Sequence, residues 1–196
     1  MKFIGITGGV GAGKSEVLKF IKQHYKCKVY MADKVAFEVR MPGTECHKQL
    51  CELLGEEVVG SRKAMAEKLF NNEELLEKVN AIIHPAVKVY LLEELEKAKQ
   101  NPEIELFFVE AALLIECGYG ELVDEMWYVY ADKQVRIQRL MASRAYTPEK
   151  IESIMANQLS EDEFRANSSF VIDNSGSIFE SGEQIRHKLE GYTWVR

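Results

Sequence analysis

No apolar run in this sequence reaches the ~18–20 residues that a membrane-spanning helix needs. The amino-terminus lacks a basic segment followed by a long apolar stretch and a cleavage site; Met1-Lys2 leads straight into a strand-like run that ends in glycines. The expectation is a cytoplasmic protein with no membrane partner. Cysteine is sparse: Cys27, Cys46, Cys51 and Cys117 form no C-x-x-C pair, and no histidine stands at a finger-like spacing from them. That excludes a disulfide framework and argues against a zinc site, leaving reduced, mostly packed thiols. Positive charge is in deficit, with 25 Lys+Arg against 31 Asp+Glu and a net charge of −6. A chain of that sign is a poor non-specific binder of nucleic acid, so no nucleic-acid partner is expected. Internal repeats and low-complexity linkers are also missing.

What is present is ordinary globular composition, 46% hydrophobic and 29% charged over 196 residues. That length implies one domain able to bury roughly 70% of its unfolded surface without metal or disulfide. Lys2–Thr7 is a short apolar run with Phe3, Ile4 and Ile6, bounded by glycines, and reads as a buried strand. Residues 14–24 carry Val17, Leu18 and Ile21 at helical spacing. Further strand-like runs lie at 27–31, 104–109, 126–130 and 170–172. Residues 33–100 are rich in helix formers and are broken at Met41-Pro42-Gly43, Gly55, Gly60-Ser61 and Asn71-Asn72. Asn72 is placed to cap a helix that runs past His84-Pro85, where the proline predicts a kink. Thr147-Pro148-Glu149 is a helix start, and residues 177–189 form a last amphipathic helix. Strands alternating with helices predict an α/β fold, a parallel sheet covered on both faces. The helical stretch after the second strand is too long for one crossover, so part of it is expected to cap the sheet's carboxyl edge.

Gly8-Gly9-Val10-Gly11-Ala12-Gly13-Lys14-Ser15 fits G-x-x-x-x-G-K-[ST] between a predicted strand and a predicted helix, the context of a P-loop. Glycines let backbone N–H groups close around phosphate oxygens, and the following helix points its positive end at the anion. Lys14 neutralises the β and γ phosphates, and the Ser15 hydroxyl suits Mg²⁺. The motif specifies a nucleoside triphosphate and leaves the second substrate open; GTPases and ATP-driven machines share it, although no N-K-x-D guanine-reading motif is present. Asp33, just past the second strand, suits a general base, a magnesium contact or a plain helix cap. Glu110 ends the third strand as a Walker-B-like acid or as a solvated strand-end charge. Arg139, Arg144 and Arg165 suit bidentate phosphate contacts, and each taken singly also reads as surface charge. A lone His84 in such a helix is more often a structural hydrogen-bonder than a catalyst.

Several segments together resemble the dephospho-coenzyme A kinase family, from residue 3 to about residue 176. Ile6-Thr7-Gly8-Gly9-Val10-Gly11-Ala12-Gly13-Lys14-Ser15 resembles its "LTGGIGSGKS". Ala32-Asp33, Val39 and Pro42-Gly43 resemble "DAD…V…PG", and Arg62 with Phe70 resembles "R…L…F". Asn80-Ala81-Ile82-Ile83-His84-Pro85 resembles "LN-x-[IL]-[IL]-HP", with Val79 in place of Leu. Glu110-Ala111-Ala112-Leu113-Leu114-Ile115-Glu116 resembles "…PLLFE", and Gln138-Arg139-Leu140 with Arg144 resembles "QLxRLxxR". Gln158, Arg165 and Phe170–Gly176 resemble "Q…R…DFVIDNxG".

The resemblance implies a three-layer P-loop kinase fold, with a core over residues 1–33, 101–138 and 167–196, a helical substrate-binding insert over 34–100 and a small helical lid over 139–166. It implies ATP and Mg²⁺ as cofactors, and phosphorylation of the ribose 3′-hydroxyl of dephospho-coenzyme A as the reaction. By this likeness Gly8, Gly9, Gly11, Ala12, Gly13, Lys14, Ser15, Glu16 and Asn174 bind nucleotide, with Ser15 on the metal. Asp33, Lys14, Arg139 and Arg144 carry catalysis, and Asp33, Arg62, His84, Glu110 and Leu113 meet the small-molecule acceptor. A monomer or small homo-oligomer is expected. Met31 stands where the family's first Asp is usual, Ala112 replaces a Pro, Glu16 replaces a Thr, and the 55–62 segment is shorter than the pattern. None of these touches Lys14, Ser15 or Asp33, so activity is expected. The alternatives are another kinase of the nucleoside-monophosphate type and a nucleotide-binding regulator with weakened catalysis.

Overall fold

The computed structural model of the protein describes residues 1–192; the end of the expected core, residues 193–196, lies outside the described residues. Five strands form one sheet: β1 (Lys2–Thr7), β2 (Cys27–Met31), β3 (Leu106–Glu110), β4 (Glu125–Tyr130) and β5 (Phe170–Asp173), in the order β2-β3-β1-β4-β5. β1 pairs in parallel with β3 through Phe3↔Phe107 and Gly5↔Val109, and with β4 through Gly5↔Met126. β4 pairs in parallel with β5 through Val129↔Ile172. The apolar runs read from the sequence are these strands; the three central ones, β1, β3 and β4, are buried along nearly their whole length, while the edge strands β2 and β5 are mostly half-buried. β3 begins two residues later than expected, because Ile104 is tied into a turn by its N–H to the Asn101 carbonyl.

From β1 the chain passes to β2 on one side of the sheet, and from the neighbouring β4 it passes to β5 on the other, so the two connections leave in opposite directions. A crevice at such a switch point is where open α/β sheets bind ligands. Thr7, Glu110 and Tyr130 end β1, β3 and β4 beside that crevice.

Two helices line the core face of the strands. α1 (Lys14–His24) buries Val17, Leu18 and Ile21, and the carboxyl-terminal helix Ile178–Glu190 buries Ile185 and Leu189 in the same cluster as Ile4, Ile6, Phe108, Trp127, Val129 and Ile172. Trp127 meets Phe108 and Phe170 edge-on, with ring centroids 5.7 and 5.1 Å apart. Ser177 and Glu180 form a capping box at the start of this last helix.

The chain divides into two compact units, residues 1–29 with 98 onward, and residues 30–97. The second is helical: α2 (Ala32–Glu38), α3 (Glu45–Leu54), α4 (Glu56–Val59), α5 (Arg62–Leu69) and α6 (Glu73–Lys99). Its breaks fall where Pro42-Gly43, Gly55, Gly60-Ser61 and Asn71-Asn72 interrupt the pattern, with Thr44, Ser61 and Asn72 accepting from helix N-terminal amides. Within residues 55–62, Glu56–Val59 folds as α4 and Arg62 already opens α5. Tyr30 donates to Glu94 at 2.5 Å and packs its ring edge-on against Tyr90. Helix α6 runs unbroken through Pro85 for 27 residues. The first unit also contains α7 (Lys133–Arg144), α8 (Pro148–Ala156) and α9 (Glu161–Ala166), and the last helix is α10. Thr147 caps α8, with Pro148 in its first turn. All four cysteines are free thiols, with Cys46 buried and the others half-buried.

Candidate active site

Residues 8–13 form the turn between β1 and α1. Gly8 lies at φ 148°, where any side chain would collide with the Val129 carbonyl of the neighbouring strand. Gly13 is the residue before α1, at φ 90° in the left-handed region, and has no side chain to cap the helix. The helix therefore starts with no side-chain cap, its Glu16 and Val17 amides turned back to the Gly13 carbonyl, and a helix start of this kind suits an anion. The Lys14 ammonium donates to the Gly8 carbonyl at 2.7 Å and stands 3.8 Å from the Glu110 carboxylate at the end of β3.

The loop is braced from outside at two carbonyls. Asn174, buried beyond β5, donates from Nδ2 to the Ala12 carbonyl at 2.7 Å, while its Oδ1 accepts from the Ser181 hydroxyl at 2.8 Å. Both ends of its amide are thus committed to the loop and to α10. Arg139 on α7 reaches the same Ala12 carbonyl at 3.4 Å and the Gly176 carbonyl at 3.5 Å. The second brace, at Val10, comes from Arg136 and Gln158. Arg136 donates from Nε to the Val10 carbonyl at 2.8 Å, and the Val10 N–H donates to Gln158 Oε1 at 2.9 Å. Neither Arg136 nor Gln158 stood among the site residues expected from sequence. The available signal was that Arg136 lies one turn before Leu140, the buried residue of α7.

Ser15 and Glu16 are exposed in the first turn of α1. The Glu16 carboxylate is at the helix end whose dipole favours negative charge. Leu113 is exposed in the turn after β3, while Leu114 beside it is fully buried. Arg144 ends α7 with its guanidinium 5.9 Å from the Tyr146 ring, over which the Lys150 ammonium also sits at 4.1 Å. The structure thus brings Lys14, Glu110, Asn174 and Arg139 to the loop, and leaves Arg144 at Tyr146.

In the helical unit Asp33 is the second residue of α2 and is exposed; among the described residues its carboxylate makes no hydrogen bond or ion pair. The cap position of α2 belongs to Met31, which supplies no side-chain bond, so Asp33 does not act as that cap. Arg62 opens α5 and is exposed behind its Ser61 cap. His84 is half-buried in α6, and its burial together with Lys88 pushes its pKa below the usual histidine value, keeping the ring neutral near pH 7.

Among the described residues no three His, Cys, Asp or Glu side chains gather to hold a metal. A caged ion is therefore not built in. Mg²⁺ asks for less, one or two protein oxygens with the rest from phosphates and water. The Ser15 hydroxyl at the mouth of the loop fits that requirement.

The family model for dephospho-CoA kinase matches residues 2–180. The dephospho-CoA kinase of Streptococcus agalactiae is 32% identical, over 96% of this chain and 98% of that protein. Among solved structures, the Thermus thermophilus protein TT1252 superposes with a TM-score of 0.81 at 31% identity, covering 98% of both chains. Dephospho-CoA kinase from Campylobacter jejuni, at 22% identity and a TM-score of 0.68 over 96% of this chain and 95% of that one, shares the fold. The P-loop kinase architecture read from the motifs is therefore the fold of this protein, and the chain belongs to the dephospho-CoA kinase family.

Proposed function

We propose that this chain transfers the γ-phosphoryl group of ATP, with Mg²⁺, to the ribose 3′-hydroxyl of dephospho-coenzyme A. Kinase activity on dephospho-CoA follows from the family; the acceptor hydroxyl, the metal and the residue roles are our reading. The observation that carries it is the Lys14 ammonium, poised between the Gly8 carbonyl and the Glu110 carboxylate at the mouth of an uncapped helix. Phosphoryl transfer is mainly positioning and charge stabilisation, and such a receptor supplies both.

In this reading the α1 amides and Lys14 bind the phosphates. Ser15 holds Mg²⁺, which when bound neutralises charge on the phosphate oxygens. Lys14 shifts from Glu110 to the phosphates, and the Glu110 carboxylate serves the acceptor side. Arg139, already beside Ala12 and Gly176, sits on the nucleotide; Arg144 leaves Tyr146 to reach the transferring group. Asp33 accepts the hydroxyl proton, which an alcohol gives up only late in transfer. Arg62, neutral His84 and Leu113 are assigned to binding the acceptor. Residues 34–100 act as the acceptor-binding insert and residues 139–166 as a lid that keeps water from the poised γ-phosphate. A cytoplasmic location suits such a reaction, and among the described residues no helix is long and apolar enough to cross a membrane.

ADP release from ATP and Mg²⁺ tests the proposal, with dephospho-coenzyme A compared against AMP, CMP, adenosine and pantothenate. Turnover confined to dephospho-coenzyme A, with the product phosphorylated at the 3′ position by phosphorus NMR, is the expected result. Turnover with another acceptor would overturn the substrate assignment while sparing the P-loop chemistry. Binding of ATP without turnover on any acceptor would identify a nucleotide-binding regulator.

A further inference from the structure

Both backbone polar groups of Val10 are held by side chains from distant parts of the chain. Its N–H donates to Gln158 Oε1 at 2.9 Å, and its C=O accepts from Arg136 Nε at 2.8 Å. Arg136 Nη2 donates to Gln158 Oε1 at 3.3 Å and closes the ring. The orientation of the Gln158 amide is fixed chemically, since the two groups that meet Oε1 are both donors and only the oxygen can accept from them. The Arg136 guanidinium lies against Gly9, in the space a side chain there would fill. Among the described residues it has no carboxylate within ion-pair distance, and burial works against its charge. A guanidinium placed so is costly unless its donors are used, and the structure uses them on the loop.

The consequence concerns the amides that follow. Pinning both sides of Val10 sets the peptide planes on either side of it, and these aim the loop toward Gly11 and Gly13. A receptor made of backbone amides binds well only if they are aimed before the anion arrives. We propose that Arg136 and Gln158 are positioning residues for nucleotide binding: together they clamp Val10, hold the loop in its phosphate-receiving shape, and tie the end of α8 to it. This rests on the reading of residues 8–15 as the nucleotide site.

The test uses the full chain and reads two quantities, the exchange of the Val10 amide by ¹⁵N NMR without nucleotide, and ADP affinity by calorimetry. In the unmodified chain the Val10 amide is protected. Gln158→Ala removes that protection and weakens ADP binding about five- to tenfold, the scale of one lost hydrogen bond. Gln158→Glu keeps an acceptor oxygen and restores both. Arg136→Lys keeps a charge but not the fork geometry, and weakens ADP binding without a comparable fall in melting temperature. If the alanine variant fails to fold, the Glu and Lys pair still decides, because restoration by one and loss by the other is not what a merely structural role gives. Free exchange of Val10 in the unmodified chain, or unchanged ADP affinity in Gln158→Ala, overturns the proposal. An error in the acceptor or in the role of Asp33 leaves these readouts untouched. Absence of ADP binding by the unmodified chain overturns the reading of residues 8–15 and the nucleotide role of the clamp with it.

Discussion

Asp33 and Lys14 illustrate two ways in which a charged side chain is kept ready. Lys14 is held on the Gly8 carbonyl and near Glu110, so in the proposed site phosphate would exchange one set of partners for a stronger one. Asp33 is left exposed without a partner in the first turn of α2, and a carboxylate so placed is available to accept a proton. With Asp33 as base, Asp33→Asn lowers turnover by roughly 10²–10⁴ while ATP affinity stays near that of the parent. Steady-state kinetics beside ATP calorimetry check this; equal losses of affinity and turnover would make Asp33 a metal or structural residue. Residues 8–15 were legible in the sequence because the motif is local: eight consecutive residues carry the whole pattern, although distant side chains brace their backbone. Gln158 was not legible as a brace, because it meets Val10 across 148 positions and carries no spacing rule. For Asn174 the likeness to the family motif pointed to the nucleotide, and the side chain braces the Ala12 carbonyl.

At the scale of single elements, boundaries were readable where a chemical cap marks them. Ser177, Thr147, Ser61 and Asn72 each accept from an amide in the first turn of the helix they begin. The helix that Asn72 caps was expected to run past His84-Pro85, and α6 does continue through the proline. A missing N–H removes one intrahelical bond, and the helix carries buried Val79, Val87, Leu91 and Leu95 on both sides of the gap. Helix α10 shows packing overruling propensity in the same way. Gly182 lies in its interior, where alanine would normally be favoured by about 1 kcal/mol. A side chain there would collide with the Phe20 ring of α1, so the glycine lets the two helices approach. Gly182→Ala therefore destabilises the protein by about 1–3 kcal/mol, the usual cost of overpacking, despite the better propensity. Denaturant unfolding measures it, and Phe20→Leu in the same chain recovers part of the loss. A Gly182→Ala chain as stable as the parent would mean that α1 yields freely.

At the scale of the whole chain, alternating apolar runs and helical stretches were enough to predict a parallel α/β sheet. They do not encode strand order, because β3 and β4 flank β1 through pairings that connect residues more than a hundred positions apart. The order matters for function, since it places the ends of β1, β3 and β4 together and so sets Glu110 beside Lys14. The sequence divided the helical residues at about 34–100, and the compact unit seen spans 30–97. Ligand binding links that architecture to stability. A nucleotide that binds only the folded loop stabilises it by about 2.7 kcal/mol at a hundredfold excess over Kd. For a chain of this length each kcal/mol moves the melting temperature by roughly 2–4 °C, so saturating ADP raises it by about 5–10 °C. In the proposed site Lys14→Ala removes the ammonium assigned to the phosphates but leaves the loop backbone in place, so the chain still folds while most of that rise disappears at the same ADP concentration. Thermal melts with and without ADP read the effect directly. A Lys14→Ala chain that gains the full rise would show that the amides bind nucleotide without the ammonium, and Lys14 would then act on the phosphoryl group in transfer alone.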